Sequence, residues 1–229
     1  MQRPHGLSSA ATGDGATKRG GASLDGSIKK PSRIQQKNRK RILEAALEVF
    51  SAQGFRGATL DEIAGEAGLS KPNLLYYFSG KEEIYDTLLA GLLETWLDPL
   101  QALDAGGDPV EEIMAYVRRK LDMSRDYPRE SRLFANEILQ GAPRLIDELK
   151  GPLRDLVDEK SAVMRRWMDQ GRMARVDPRH LIFAIWAITQ HYADFDVQVQ
   201  AVLGSGDEGR FHDAAATIET LLFRGLMPR

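Results

Sequence analysis

The sequence contains no cysteine among its 229 residues. This absence excludes disulfide bonds, thiolate-bound zinc, iron–sulfur clusters and a cysteine nucleophile. The longest apolar run, near residues 181–188, is far shorter than the roughly 18 residues that a membrane-spanning helix needs. The first residues also lack the apolar segment of a secretory signal peptide. We therefore expect a cytoplasmic protein that makes no contact with a membrane.

The net charge is small, but the two signs are unevenly distributed. Residues 1–81 contain 13 Lys and Arg against 7 Asp and Glu, whereas residues 82–229 contain 18 against 26. A basic front half is the layout expected when one end of a chain approaches a polyanion. Residues 1–31 contain only three Leu or Ile residues. Such a segment buries too little apolar surface to offset the entropy cost of ordering, so we expect a disordered leader.

The next part of the chain predicts a helix-turn-helix. Apolar residues recur at helical spacing from Arg33 until Gly54, which predicts a first helix. Thr59 stands three residues before a glutamate, the capping-box spacing, and opens a short second helix that ends near Gly68. Ser70 then caps a third helix that has proline in its first turn. Two short helices joined by such a glycine-containing turn form a helix-turn-helix unit.

From Lys81 onwards the pattern is helical almost to the end of the chain, without runs of alternating β-branched residues. A connecting helix is expected at 81–103. Breaks are expected at 106–107, 127–128, 141–143, 151–152, 171, 177–178 and 204–206. The sequence therefore predicts an all-α protein, with a helix-turn-helix domain at 32–80 and a helical domain at 81–229.

The segment 67–78, AGLSKPNLLYYF, followed by Lys81 and Glu82, resembles the DNA-binding head of TetR-family transcriptional repressors. The resemblance implies that residues 81–229 bind a ligand and form a homodimer, which places two heads on a palindromic operator. By resemblance, the last two helices, at about 177–203 and 208–225, are the dimerisation pair. An apolar stripe follows the first of them: Leu181, Ile185, Ile188, Tyr192, Phe195, Val199 and Val202.

The head offers candidate contacts to bases and to phosphates. The first residues of the recognition helix reach base edges in the major groove. Lys71 suits guanine, Asn73 suits adenine and the Pro72 ring suits a thymine methyl group. The resemblance implies phosphate contacts at Tyr77 and Lys81. The DNA-binding candidates are Thr59, Ser70, Lys71, Pro72, Asn73, Tyr77 and Lys81.

Simpler roles remain open at some of these positions. Thr59 offers a hydroxyl and a backbone N–H to a phosphate oxygen, whereas Ser70 needs no role beyond capping and Asn73 could simply be solvated. We expect Tyr76 to lie in the core. Asp61 is acidic where many relatives carry a basic residue, which lowers the expected affinity for the DNA backbone. A flexible basic tail at 29–41 would compensate through counterion release.

Segments 122–128, 158–162 and 177–195 resemble the RutR-type branch of the family, which regulates pyrimidine utilisation. The resemblance implies uracil or thymine as the ligand. The amide of Gln190 complements the O2, N3–H, O4 edge of uracil, and Trp186, one turn earlier, is placed to cover a flat ring. The ligand-binding candidates are Trp96, Phe134, Glu137, Lys160, Trp186, Gln190 and Asp194.

Alternatives remain for these residues and for the function. A tryptophan at helical spacing is usually a core residue. Glu137 and Lys160 interrupt apolar stripes, which is costly unless they are paired, and we expect them to meet each other rather than a ligand. The connecting helix would act as a rigid lever, since Trp96 lies roughly 22 Å from Lys81 along it. Two alternative functions are a repressor of the same family with a lipophilic effector and an enzyme. No catalytic motif supports an enzyme. The sequence implies no cofactor.

Overall fold

The computed structural model describes residues 32–204 and 209–227. The expected disorder of residues 1–31 and the break at 205–206 lie outside the described residues. Across the described ranges the chain is helical and contains no strand, which confirms the all-α prediction. The helices are α1 (Arg33–Gly57), α2 (Leu60–Glu66), α3 (Lys71–Tyr77), α4 (Lys81–Gln101), α5 (Pro109–Asp126), α6 (Pro128–Leu139), α7 (Ile146–Glu148), α8 (Arg154–Asp169), α9 (Pro178–Asp194), α10 (Asp196–Leu203) and α11 (Arg210–Leu226).

The capping signals of the head are confirmed. The Thr59 hydroxyl oxygen accepts from the Glu62 backbone N–H at 3.2 Å, and the Thr59 backbone N–H donates to the Glu62 carboxylate at 2.9 Å. Together they form the capping box that starts α2. Ser70 caps α3 by accepting from the Asn73 backbone N–H at 3.4 Å. Gly54 takes a φ of 69° inside α1 and interrupts the regular helix where the sequence predicted its end.

Two arginines of α1 hold the helix-turn-helix together. Arg41 donates to the carbonyls of Ala67 and Gly68, where α2 ends and Gly68 has a φ of 59°. Arg39 donates to the Tyr77 carbonyl at 2.6 Å, at the end of α3. Both guanidinium groups satisfy carbonyls at helix C-termini, where positive charge is favoured. The prediction of a flexible basic tail is therefore wrong from Arg33 onwards, because this part of it is helical.

Two other breaks differ from the prediction. The helix expected to run unbroken from 177 to 203 is interrupted at Phe195, whose φ of −114° and ψ of 30° separate α9 from α10. Conversely, the Gly-Pro pair at 151–152 does not end a helix. A π-helical turn, Leu149–Leu153, carries the chain from α7 into α8 around Pro152. The wider turn accommodates a residue that lacks an N–H donor.

The buried apolar side chains form two clusters that meet along α4. The head cluster combines α1 to α3 with Leu93 and Trp96 of α4 and with Leu133 of α6. The body cluster begins at Leu100 and continues through α5, α8, α9 and α11. None of the helices in the described ranges is both long and apolar enough to cross a membrane.

Removing the capping box tests this description of the head. We expect Thr59→Ala to lower the free energy of unfolding by about 1 kcal/mol, because the Glu62 backbone N–H at the start of α2 loses the hydroxyl that accepts from it. Urea unfolding followed by circular dichroism measures the change. Thr95→Ala is the control, since that exposed hydroxyl bonds only within α4. We expect this variant to have a urea midpoint no lower than that of the wild type. Equal midpoints for Thr59→Ala and wild type would contradict the assignment.

Candidate ligand cavity and nucleic-acid interface

A small cavity lies where the two apolar clusters meet. About 40 Å³ of it is open to the centres of water-sized molecules, whereas one water needs roughly 10–15 Å³ by that measure. The head cluster and the body cluster each supply part of the wall. The lining residues are Leu93, Trp96, Leu97, Leu100, Tyr116, Lys120, Phe134, Leu153, Trp186 and Gln190.

Four candidates chosen from the sequence line this cavity: Trp96 of α4, Phe134 of α6, and Trp186 and Gln190 of α9. The structure thus brings together three segments that are distant in the sequence. Sequence reasoning missed Tyr116 and Lys120 of α5. The sequence does mark Lys120, because it is a charged residue inside an apolar stripe, as Glu137 and Lys160 are.

Hydrogen-bonding groups in the cavity are incompletely satisfied. The indole N–H of Trp186 donates to the Tyr116 hydroxyl at 2.6 Å. The indole N–H of Trp96 is buried and has no partner in the described part of the chain. The side-chain amide of Gln190 likewise forms no hydrogen bond within residues 32–204 and 209–227. Buried polar groups normally find partners, so the Trp96 N–H is available to a bound molecule. The amide of Gln190, which is half-buried, is available as well.

Lys120 adds a positive charge to the cavity. The residue is 2% exposed, and its ammonium nitrogen lies 5.1 Å from the centroid of the Trp96 ring, within cation–π range. The ammonium makes no hydrogen bond or salt bridge with any described residue. Burial lowers the pKa of Lys120 from 10.5 to about 8, and the charge of Asp194 opposes this shift.

Asp194 stands beside the cavity rather than in its wall. Its carboxylate accepts a short hydrogen bond from the Ser131 hydroxyl. Burial raises the pKa of Asp194, whereas the Ser131 bond and the charge of Lys120 lower it. Asp194 lines a neighbouring surface groove that shares Phe134 and Gln190 with the cavity. Its charge therefore acts on Lys120 across the cavity wall without direct contact.

The expected pairing of Glu137 with Lys160 is wrong, and neither residue lines the cavity. The Glu137 carboxylate accepts from the Tyr85 hydroxyl at 3.2 Å and from the Arg144 backbone N–H at 2.8 Å. Lys160 pairs with Glu159 at 3.1 Å and donates to the Leu103 carbonyl at 3.4 Å. Glu137 is compensated mainly by Tyr85 of α4, which the pattern of α6 alone cannot reveal, whereas Lys160 pairs with the adjacent residue of its own helix.

The first turn of α3 is open to solvent, with Lys71, Pro72 and Asn73 all exposed. Lys71 forms an ion pair with Asp61 of α2, at 2.8 Å between ammonium nitrogen and carboxylate oxygen. Tyr76 is 69% exposed, so its expected place in the core is wrong. It extends the same open face, because the core position in this turn is taken by Leu74.

The expected phosphate contacts are all engaged inside the protein. The Thr59 hydroxyl and backbone N–H both donate to Glu62. The Tyr77 hydroxyl accepts from the Asn38 amide at 2.7 Å. Lys81 donates to the carbonyls of Phe55 and Ala58, both at 2.8 Å. Contacts from these residues to phosphate must therefore replace or supplement internal bonds. Lys81 retains a spare N–H donor, and Tyr77 retains its O–H donor because its hydroxyl only accepts from Asn38.

Part of the expected dimerisation stripe packs inside the chain. Leu181 and Ile185 are buried in the body cluster, and Ile188 and Tyr192 pack against it. Among the side chains that the structure describes in residues 178–226, the large apolar ones left exposed are Phe183, Phe195, Val197, Val202, Leu203 and Leu221. The described residues contain no group of acidic and histidine side chains that could hold a metal ion.

Comparison with known proteins gives consistent matches over most of the chain. Residues 42–88 match bacterial regulatory proteins of the tetR family, and residues 89–229 match the C-terminal region of YcdC-like proteins. The HTH-type transcriptional regulator RutR of Escherichia coli K12 is 49% identical over 202 residues, which cover 87% of this chain and 95% of that protein.

Solved structures share the fold. The ketosteroid regulator KstR2 of Mycobacterium tuberculosis superposes with a TM-score of 0.69 at 17% identity, covering 83% of this chain and 95% of that one. A TetR-like regulator from Rhodococcus sp. RHA1 gives 0.62 at 21% identity, covering 86% and 98%. At these identities the likeness shows the fold alone.

The buried ammonium predicts a pH-dependent stability. Between pH 8 and 10.5 the unfolded chain holds more protons at position 120 than the folded chain, so the stability of the wild type rises with pH. Lys120→Met removes this term. We expect it to have a higher urea midpoint than wild type at pH 7, by an amount that shrinks as the pH rises to 9.5. For the exposed control Lys150→Met we expect the difference in urea midpoint from the wild type to stay constant over this pH range. A constant difference for Lys120→Met would refute the assignment of a buried ammonium.

Proposed function

The chain belongs to the TetR family of transcriptional regulators, and from that premise we propose that it is a repressor that uracil or thymine releases from a palindromic operator. The main observation that supports a pyrimidine ligand is a set of polar groups without partners in one apolar cavity. These are the buried N–H of Trp96, which has no partner in the described part of the chain, together with the ammonium of Lys120 and the half-buried amide of Gln190 in the same wall. The proposal rests on their match to a pyrimidine.

The edge of uracil carries two carbonyl oxygens on either side of an N–H. The amide of Gln190 can accept from that N–H and donate to one carbonyl. Lys120 and Trp96 supply donors for the remaining acceptor positions, and a carbonyl oxygen beside Lys120 also lowers the cost of its buried charge. The indole of Trp186 and the ring of Phe134 supply apolar walls for the flat faces of the ligand.

The size of the cavity distinguishes between effectors. A lipophilic drug needs a large, mostly aromatic pocket, and pockets for such ligands span roughly 300–1,000 Å³. Here the open volume is about 40 Å³, and it contains a cation and an amide. Both properties favour a compact polar heterocycle over a large apolar effector.

For the DNA side, we assign base contacts to the exposed first turn of α3, with Lys71 at guanine and Asn73 at adenine. Thr59, Tyr77 and Lys81 then act first as internal supports of the head. The exposed apolar side chains of α9 to α11 support a homodimer across a two-fold axis, which would place two heads on one operator.

A ligand in this cavity would act at the junction between head and body. Phe134 lies in the cavity wall, and one turn later on α6 Glu137 accepts from the hydroxyl of Tyr85. The Tyr85 ring packs against Phe50 and Phe55 of α1, with centroids 4.9 and 4.8 Å apart. Helix α6 therefore reaches the head through Tyr85 of α4, as a second route from the cavity that joins the lever α4 at this residue. Movement of either helix would change the separation of the two heads.

Uracil binding tests the ligand assignment. We expect calorimetry to show that Trp96→Phe and Gln190→Leu each weaken uracil binding by about 5- to 150-fold, since each leaves a buried ligand group unpaired. Gln101→Leu, an exposed amide on α4, is the matched control and is expected to bind normally. We expect 3-methyluracil, which lacks the N3–H, to bind weakly to the wild type and equally weakly to Gln190→Leu. Unchanged uracil affinity in Gln190→Leu would reject the proposed site.

Tyr85→Phe tests the connection through α6, because it removes only the hydroxyl that donates to Glu137. We expect uracil affinity of the free protein to stay within twofold of wild type. The factor by which saturating uracil weakens operator binding, 5- to 150-fold for typical coupling, is expected to fall toward one. Operator titrations with and without uracil measure it. Tyr127→Phe removes a hydroxyl from an exposed residue as control, and equal coupling in Tyr85→Phe and wild type would exclude this route.

A further inference from the structure

The ion pair between Lys71 and Asp61 lies on the exposed face of the helix-turn-helix that would meet DNA. The Lys71 ammonium nitrogen and one Asp61 carboxylate oxygen are 2.8 Å apart, and their side chains are 44% and 70% exposed. A carboxylate on this face repels phosphates, so its presence there needs a compensating role. We propose that Lys71 and Asp61 together read one G·C base pair in the major groove, which makes Asp61 a specificity-determining residue. This inference rests on the proposed operator binding.

The arrangement of atoms matches the edge of a G·C pair. In the major groove, guanine presents the acceptors N7 and O6, and cytosine presents the N4 amino donor next to them. O6 and N4 hydrogen-bond to each other, so they lie about 3 Å apart. An ammonium and a carboxylate oxygen at 2.8 Å can therefore face O6 and N4 at once, with Lys71 donating to guanine and Asp61 accepting from cytosine.

Both members of the pair have unused capacity. The ammonium has two N–H donors beyond the one it gives to Asp61. The second carboxylate oxygen of Asp61 has no hydrogen bond within the described ranges. Neighbouring Glu62 does not compete, because its carboxylate is held by Thr59 and Gln53.

The backbone positions from which the two side chains extend follow from the fold. Asp61 lies in the first turn of α2, and Lys71 is the first residue of α3 after its cap Ser70. Arg41 fixes the turn between the two helices by donating to the carbonyls of Ala67 and Gly68. The pair therefore meets the groove in a defined register.

In that register an A·T pair is rejected. It places the adenine N6 amino group opposite the ammonium and the thymine O4 opposite the carboxylate. A donor then faces a donor, and an acceptor faces an acceptor, so neither hydrogen bond can form. Lysine alone can donate to N7 of either purine, so the carboxylate supplies the discrimination.

The test is in vitro selection of binding sites by the full-length protein from random duplexes, followed by titration of the enriched sites. We expect wild type to enrich half-sites with a G·C pair at one fixed position. Asp61→Ala is expected to reduce discrimination between G·C and A·T there by about 5- to 150-fold, the usual range for a specific base contact. Lys71→Met is expected to lose the same preference, and the double variant is expected to lose no more than Lys71→Met.

Glu66→Ala is the matched control. Glu66 is an exposed carboxylate on the same helix α2, so both variants remove one negative charge from the head. We expect both to bind random DNA more tightly, whereas only Asp61→Ala loses the G·C preference. Identical behaviour of the two variants, or selected sites with no G·C pair that depends on Asp61, would overturn the inference while leaving operator binding intact. If wild type enriched no sequence, the proposed function would fail as well.

Discussion

The ammonium of Lys120 is buried without a counter-ion in contact, and much of the body depends on how that charge is tolerated. An isolated buried charge is costly, and the folded protein offsets only part of this cost. The face of Trp96 lies 5.1 Å away, and Asp194 acts from the neighbouring groove without a salt bridge. The cavity thus contains polar groups that the described residues leave without a partner. A small molecule that brings carbonyl oxygens to this point stabilises the fold as it binds.

The position of the cavity gives such binding a consequence for the head. Trp96 and Phe134 belong to the apolar cluster that includes the helix-turn-helix, whereas Tyr116 and Trp186 belong to or pack on the cluster of the body. A molecule held between these walls changes the packing of one cluster against the other. Close-packed interiors respond to such changes by shifting whole helices, and α4 and α6 both run from this point to the head.

The features that could be predicted from the sequence are those that depend on neighbouring residues. The capping box of Thr59, the cap at Ser70 and the left-handed Gly68 are local, and all three have the expected geometry. Trp186 and Gln190 were also placed together, because both lie on one face of a single helix. In contrast, the partners of Glu137 and the break at Phe195 depend on packing between helices that are far apart in the chain. The charge of Lys120 within an apolar stripe is visible in the sequence, but the stripe alone does not show that the residue lines a cavity.

The internal use of the basic residues in the head bears on how repression can be reversed. Arg39, Arg41 and Lys81 each bind carbonyls of the head, which commits part of its positive charge to structure. Arg33, Lys37, Lys40 and Arg56 are exposed and form no ion pair with a described residue. Phosphate contacts supply most of the sequence-independent affinity of a DNA-binding protein, so these exposed cations are the ones suited to that role. In the proposed function, a coupling of about 1–3 kcal/mol between ligand and DNA has to outweigh this affinity as well as the base contacts.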